Sequence, residues 1–238
     1  MTSQQSSQQP ETCIKHLKTS CIQLLKITNI PEGIQILCEA IPSLQGHLFS
    51  EEMDLISKAV PKRQMEFTAG RTLARRAMSH FGLQEQPILH NNRMPVWPEA
   101  VTGSISHCHT HCAVALGLRS SFISIGIDIE TSGMVTPDLW EHTFTQRERE
   151  YLSISSPARR DFLSTVIFSA KEAFFKLQFP LTGEWIGFDE ACVEVQDDNN
   201  FLIKCNRSAI RVPSVLHGTI IKPLPGLVLS MLWLPTSS

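Results

Sequence analysis

Two carboxylates, Asp128 and Glu130, stand two residues apart in the segment ISIGIDIE. In a β-strand such residues share a face about 6–7 Å apart, where two negative charges repel by roughly 2–3 kcal/mol at an effective dielectric constant near 20. A divalent cation bound between them turns this repulsion into attraction. Mg²⁺ takes one or two carboxylates and fills its other positions with water and phosphate oxygens. The pair therefore indicates a magnesium site, and an acidic, half-exposed strand face is the simpler alternative.

The strand that carries these carboxylates alternates strictly. The isoleucines at every second position from Ile123 to Ile129 share one face, which we predict to be core. The opposite face carries Gly126 as well as the two acids, and a glycine leaves room there for a bulky ligand.

A third carboxylate, Glu172, lies four residues before Lys176 in the segment FSAKEAFFK. On a helix this spacing stacks the two side chains. A surface salt bridge would contribute only a few tenths of a kcal/mol. The surrounding phenylalanines instead predict partial burial, where charged groups usually serve a purpose.

A basic helix is predicted from Pro61 to about Phe81, because proline suits the first helical position and apolar residues recur at helical spacing. Arg63 lies in the first turn, where the helix dipole disfavours a cation. An arginine in that place is easier to understand if it holds a phosphate, although a solvated arginine is the alternative.

The following segment, GSISHCHTHC, adds a hydroxyl and an imidazole suited to phosphate, in Ser106 and His107. Four possible zinc ligands come next within five residues. Such a short segment can rarely wrap one ion, and a tetrahedral site normally takes two separated pairs. A zinc site formed by Cys108, His109, His111 and Cys112 is therefore the less favoured interpretation.

The remaining pattern predicts an α+β fold with two similar halves. Thr145 and Glu148 form a capping box, and a long helix is predicted over residues 157–177. Strand patterns cover residues 34–38, 112–118, 121–130, 191–196, 201–205, 216–221 and 226–233. We predict a disordered Gln/Ser-rich tail over residues 1–12, an N-terminal α+β lobe over 13–118 and a C-terminal lobe over 119–238.

Composition excludes several classes of protein. The net charge of −2 gives no basic stripe for nucleic acid. No apolar run reaches the roughly 20 residues of a membrane span, and the N-terminus lacks the pattern of a signal peptide. Seven cysteines, an odd number, argue against a disulfide framework. We expect a cytoplasmic, reduced protein.

Taken together, the motifs resemble those of the 4′-phosphopantetheinyl transferases, and most closely the two-lobed members of the enterobactin-synthetase component D type. The resemblance covers roughly residues 62–181 and rests on the order KRQMEFTAGRTLARRAM, NNRMPVWP, GSISH, GIDIE and FSAKEAFFK. Each motif alone is unspecific, whereas five in this order are specific. The resemblance implies two α+β lobes related by a pseudo-twofold axis, with the active site in the cleft between them.

The resemblance also implies residue roles. Asp128, Glu130 and Glu172 would bind Mg²⁺, or Mn²⁺ in its place, and Glu172 and Lys176 would be catalytic. Six residues would contact coenzyme A: Arg63, Arg71, Arg93, Ser106, His107 and Lys171.

The implied reaction transfers the 4′-phosphopantetheine group of coenzyme A to a serine of an apo acyl, aryl or peptidyl carrier protein and releases 3′,5′-ADP. Such enzymes activate carriers of fatty acid, polyketide, nonribosomal peptide or siderophore synthesis, and we expect a monomer. The alternative is a module that binds coenzyme A or a carrier protein without catalysis.

Overall fold

The computed structural model describes residues 30–92, 94–205, 207 and 212–236. The predicted tail over residues 1–12 and the side chain of Arg93 lie outside these residues. The first half contains β1 (Ile34–Ala40), α1 (Ser50–Ile56), α2 (Pro61–Ser79), β2 (His90–Asn91), β3 (Met94–Pro95), β4 (Val101–His107) and β5 (His111–Leu118). The second half contains β6 (Phe122–Thr131), α3 (Trp140–Thr143), α4 (Gln146–Ser153), α5 (Pro157–Thr182), β7 (Ala191–Val195), β8 (Asn200–Cys205), β9 (Val215–Ile221) and β10 (Leu227–Pro235).

The first half is a three-stranded antiparallel sheet in the order β1-β5-β4, covered by α2. Pro61 occupies the first turn of α2, as predicted. Leu73, Ala74 and Ala77 of this helix are fully buried against Val114 and Leu116 of the central strand. Two short strands, β2 and β3, form a separate hairpin in the connection between α2 and β4.

The second half is a five-stranded antiparallel sheet in the order β6-β10-β9-β8-β7, with α5 packed across β6 and β10. The predicted capping box forms, because Thr145 accepts a hydrogen bond from the backbone N–H of Glu148 and the Glu148 side chain accepts one in return. The α+β class predicted from the sequence is confirmed.

Helix α5 runs five residues beyond the predicted end at Leu177 and contains Pro180. Pro180 is exposed and lies in the last turn, where only one backbone hydrogen bond is lost to its missing N–H. Gly183 then closes the helix in the left-handed region at φ 66°, with its N–H bonded to the carbonyl of Phe179. None of the helices in the described parts of the chain combines the length and apolar character needed to cross a bilayer.

Strand β6 joins the two halves. Its isoleucine face packs with β5 and β10 in one core cluster, in which Ile125, Ile127 and Ile129 are fully buried. The prediction that Ile123 belongs to this face was wrong, because its side chain is 40% exposed. The pairing with β10 shifts here, since Ser124 lies opposite Leu234 and Phe122 opposite Pro235. Ile123 is thus the extra residue of a bulge, and Phe122 takes its place in the core.

The opposite face of β6 receives helix α5. A Cβ atom at Gly126 would overlap the carbonyl oxygen of Ala173 and lie 2.7 Å from the backbone nitrogen of Leu177. The prediction that Gly126 leaves room for a ligand was therefore wrong, because the space is filled by the helix backbone. This close approach sets α5 beside the acidic end of β6.

Candidate active site

Asp128 lies at the centre of a polar cluster between β4, β6 and α5, and is almost fully buried. Its Oδ1 accepts hydrogen bonds from the Ser106 hydroxyl at 2.8 Å and from the Lys176 ammonium at 2.7 Å. Its Oδ2 is buried and has no hydrogen-bond partner among the described residues. A buried carboxylate oxygen without a partner is costly, which indicates that this oxygen serves a ligand.

The negative charge of Asp128 affects the pKa values of Glu130 and Glu172. Burial, then Asp128, raise the pKa of Glu130 to about 7, with Lys176 opposing and Glu172 adding to the rise. Burial raises the pKa of Glu172, Lys176 opposes this, and Asp128 adds to it. Three carboxylates therefore lie within electrostatic range of a single ammonium group, that of Lys176.

The donor chemistry of this cluster fits a magnesium ion. Carboxylate oxygens are its preferred protein ligands, and the orphaned Oδ2 of Asp128 faces no competing donor in the described residues. As the side chains are arranged, no three His, Cys, Asp or Glu residues in the described ranges converge closely enough to hold a metal by themselves. The assignment of Asp128, Glu130 and Glu172 as ligands stays a prediction.

Lys176 was expected to stack with Glu172 on the helix, and the structure gives it a different partner. Its ion pair is with Asp128, and its ammonium also donates to the Ser106 hydroxyl at 2.8 Å. The lysine side chain is 27% exposed. Because it crosses from α5 to β6 and β4, it links both halves of the molecule.

Ser106 and His107 were predicted to act together on a phosphate, but adjacent residues of a strand point to opposite faces. Ser106 is buried beside Asp128, whereas His107 faces α2 and meets Arg63. The structure therefore places Ser106 in the carboxylate cluster and not beside the imidazole.

Arg63 and His107 form the second polar cluster. Arg63 Nη1 donates to His107 Nε2 at 3.0 Å, and Glu66 lies 3.8 Å from both side chains. Burial lowers the pKa of His107, Glu66 opposes this, and the positive charges of Arg63 and Lys176 add to the lowering. A neutral imidazole that accepts from Arg63 is the consistent arrangement.

Arg71 adds a buried positive charge to this side of α2. Its guanidinium lies 4.2 Å from the centre of the Phe67 ring, and its Nε has no hydrogen-bond partner in the described residues. Burial lowers its pKa to about 10, the negative charge of Glu52 opposes this, and Arg63 adds to the lowering. A buried guanidinium nitrogen without a hydrogen-bond partner favours an anion site here.

Lys171 was assigned to coenzyme A, and the structure gives its ammonium three other partners. The side chain is 2% exposed, and its ammonium donates to Glu148 at 2.6 Å, to the carbonyl of Thr143 at 3.0 Å and to the carbonyl of Phe188 at 2.6 Å. An ammonium group has three protons, so no donor is left for a phosphate. Lys171 instead ties α5 to α4 and to the loop before β7.

A cavity of about 1000 Å³ opens beside the carboxylate cluster. Glu172 and Lys176 line it together with hydroxyl and backbone groups of β4. Most of its wall is apolar and comes from the hairpin, the last turns of α5 and the loop that follows: Met94, Pro95, Val96, Trp97, Ile123, Phe174, Phe175, Phe179, Pro180, Leu181, Trp185, Ile186 and Phe188. The cavity suits a flexible, largely apolar chain that ends in a charged group at the cluster.

The zinc-ligand candidates do not lie on one side of the first sheet. Cys108 packs in the cluster between the two sheets, whereas Cys112 packs under α2. His109 lies on the surface, where its Nδ1 is 3.2 Å from the Lys62 ammonium. Burial raises the pKa of Cys112 to about 12, which disfavours the thiolate that a metal would need.

Sequence reasoning missed two parts of the site. Glu66 was not singled out, although it lies one turn after Lys62 and Arg63 and faces His107. The aromatic wall was also missed. Phe175 stacks on Phe179 at 4.9 Å, and its i,i+4 spacing could have been noticed, but the exposed Trp185 that completes it follows the helix end.

Two family profiles match the chain. The profile of the 4′-phosphopantetheinyl transferase N-terminal domain matches residues 51–117, and that of the 4′-phosphopantetheinyl transferase superfamily matches residues 124–219. The first match covers α2, β4 and nearly all of β5 but not β1, and the second covers α5 and most of the second sheet but not β10.

Individual relatives include proteins named 4′-phosphopantetheinyl transferase. The chain is 38% identical over 153 residues to 4′-phosphopantetheinyl transferase Svp of Streptomyces mobaraensis, covering 63% of this chain and 62% of Svp. It is 35% identical over 175 residues to 4′-phosphopantetheinyl transferase Npt of Nocardia iowensis, covering 71% of this chain and 77% of Npt. It is 41% identical over 117 residues to enterobactin synthase component D of Escherichia coli K12, covering 48% of this chain and 54% of that protein. This chain belongs to the 4′-phosphopantetheinyl transferase superfamily.

Proposed function

We propose that this protein transfers the 4′-phosphopantetheine group of coenzyme A to a serine hydroxyl of an apo carrier protein. The serine oxygen bonds to the β-phosphorus, the bond from that phosphorus to the bridging oxygen breaks, and 3′,5′-ADP leaves. The observation that carries the proposal is the position of Glu172 and Lys176, which line the apolar cavity and also border the buried Asp128. A pantetheine chain in the cavity would bring its phosphate to these charged groups.

Glu172 is the proposed general base. It lines the cavity, and burial raises its pKa above the ordinary range of a glutamate. A carboxylate with a raised pKa accepts a proton at neutral pH more readily than an exposed one. The proton of the attacking serine therefore passes to Glu172 as the oxygen–phosphorus bond forms.

Lys176 is the proposed electrostatic group. Its ammonium is partly exposed and already reaches across the site to Asp128 and Ser106. From there it can stabilise the negative charge that develops on the bridging oxygen of the leaving 3′,5′-ADP.

Asp128, Glu130 and Glu172 are the residues that would hold Mg²⁺, or Mn²⁺ in its place. A bound divalent cation would neutralise pyrophosphate charge and orient it for displacement. The orphaned oxygen of Asp128 supports this assignment.

Arg63, Arg71 and His107 are proposed to bind the 3′-phosphate of coenzyme A, away from the reacting phosphorus. Support comes from the buried, unpaired Nε of Arg71 and from the contact of Arg63 with His107. The role of Arg93 rests on the sequence resemblance alone.

The test is mass spectrometry of apo acyl, aryl and peptidyl carrier proteins after incubation with coenzyme A, Mg²⁺ and the purified protein. We expect at least one carrier to gain the mass of phosphopantetheine, and Asp128→Asn to reduce the rate by two or more orders of magnitude while the fold is kept. If coenzyme A binds but every carrier keeps its apo mass, the binding-module alternative replaces this proposal.

A further inference from the structure

Lys176 and the proposed metal share one partner, the Asp128 carboxylate: its Oδ1 accepts from the lysine, and its unpartnered Oδ2 is the oxygen proposed for the metal. We propose that the Lys176 ammonium competes with the divalent cation for Asp128, so that the cation binds well only after coenzyme A has drawn the lysine away. This inference rests on the proposed function, since it concerns the order in which that site is filled.

The contacts of Lys176 place its ammonium on the same carboxylate that the cation would bind. Its ammonium is 2.7 Å from Asp128 Oδ1 and 2.8 Å from the Ser106 hydroxyl, which itself donates to the same carboxylate oxygen at 2.8 Å. The ammonium, the hydroxyl and Oδ1 thus form a closed triangle of hydrogen bonds. A divalent cation at Oδ2 of the same carboxylate would lie close to a positive ammonium, and the repulsion would oppose its binding.

The Lys176 ammonium can also exchange Asp128 for another anionic partner. The side chain of Lys176 is 27% exposed, whereas that of Asp128 is 5% exposed, so the lysine is the partner that a ligand in the cavity can reach. Lys176 lines the cavity proposed for the pantetheine chain. A pyrophosphate that arrived there would offer the ammonium a new anionic partner, and Asp128 would then be released to the cation.

Binding of the cation and of coenzyme A should therefore be coupled through this lysine. Because coupling free energies are reciprocal, coenzyme A should raise the affinity for the cation by the same factor by which the cation raises the affinity for coenzyme A. Part of that factor would come from the phosphate oxygens that coordinate the cation. The remainder, which depends on Lys176, is the part that this inference predicts.

The experiment measures Mn²⁺ binding by the electron paramagnetic resonance signal of the free ion, with and without coenzyme A. Lys176→Met should bind Mn²⁺ at least tenfold more tightly than the wild type when coenzyme A is absent, and the enhancement by coenzyme A should shrink at least threefold. Lys204→Met is the matched control. It removes the same charge from an ion pair with Glu194 on the second sheet, and should leave Mn²⁺ binding unchanged.

Two further variants test whether the change in Mn²⁺ affinity depends on the contacts between Lys176, Ser106 and Asp128. Ser106→Ala loosens the hold on Lys176 without removing a charge, and should raise Mn²⁺ affinity by a smaller factor. The double variant Asp128→Asn with Lys176→Met should lose the gain. Equal Mn²⁺ affinity of Lys176→Met and wild type, or an equal gain in Lys204→Met, would overturn the inference.

The outcome is separable from that of the proposed function. Wild-type transfer to a carrier protein with no change of Mn²⁺ affinity in Lys176→Met would refute the competition alone. A gain of affinity in Lys176→Met, with no carrier modified by the wild type, would leave the competition standing and refute the transferase proposal.

Discussion

Replacing Lys171 by methionine tests whether this residue is structural or binds a phosphate. Lys171→Met keeps the approximate length of the side chain but removes the ammonium, and so leaves Glu148 buried, with 1% of its side chain exposed and no countercharge. Breaking one partner of a buried ion pair costs about 3–5 kcal/mol. The carbonyls of Thr143 and Phe188 lose a donor as well.

We therefore expect the free energy of unfolding of Lys171→Met to fall by about 4 kcal/mol, the middle of that range. The double variant Glu148→Gln with Lys171→Met should recover about 1 kcal/mol, because no uncompensated charge remains buried. The recovery is partial because glutamine has one acceptor oxygen for the two backbone N–H groups, of Thr145 and Val193, from which Glu148 accepts hydrogen bonds. The partly exposed pair of Lys204 and Glu194 supplies the control, since Lys204→Met should cost less than about 1 kcal/mol.

The assay is urea unfolding followed by tryptophan fluorescence, together with titration of coenzyme A into the folded variant. The wild type and the variants are compared under conditions where each is folded at zero urea. A Lys171→Met protein as stable as the wild type but with lost affinity for coenzyme A would refute the reasoning, and would restore Lys171 as a phosphate ligand.

Three other expectations follow from the same structure. Gly126→Ala should lower the free energy of unfolding by about 3 kcal/mol in thermal or urea unfolding, because its methyl group meets the backbone of α5; unchanged stability would mean that α5 can move away. His107→Ala should narrow the difference in kcat/KM between coenzyme A and dephospho-coenzyme A by about 10-fold or more, since a charge-assisted contact contributes roughly 1.5–3 kcal/mol; an equal loss with both substrates would exclude a role in reading the 3′-phosphate. Glu130 has its pKa raised to about 7 in the folded protein, so the folded state holds the extra proton and metal-free stability should decline as pH rises from about 4.5 to about 7. After allowance for partial exposure the decline due to this residue should be about 1–2 kcal/mol, and Glu130→Gln should remove it in urea unfolding at several pH values; an identical pH profile in both proteins would contradict the raised pKa.

The local elements and the family could be predicted from the sequence alone. Helical spacing predicted α2 and α5, strict alternation predicted β6, and Thr145 with Glu148 predicted the start of α4. These patterns are readable because a strand or helix repeats its side-chain direction with a fixed period. The pairing of Asp128 with Glu130 was equally local, since residues two apart in a strand face the same side.

The partners of the charged side chains, in contrast, could be read only from the tertiary structure. Lys171 and Lys176 are five residues apart on one helix, yet one is saturated by Glu148 and backbone carbonyls while the other reaches Asp128. Nothing in their local spacing distinguishes a structural lysine from an active-site lysine. The difference comes from which neighbouring segment each turn of α5 meets.

The same reason explains the errors at β6. Gly126 looked open because periodicity gives the direction of a side chain but not what lies opposite, and α5 fills that space. Ile123 looked buried because the bulge opposite Leu234 and Pro235 is set by pairing with a strand more than a hundred residues later. A sequence period fixes the face on which a residue lies, whereas burial and charge pairing depend on contacts between segments distant in the chain.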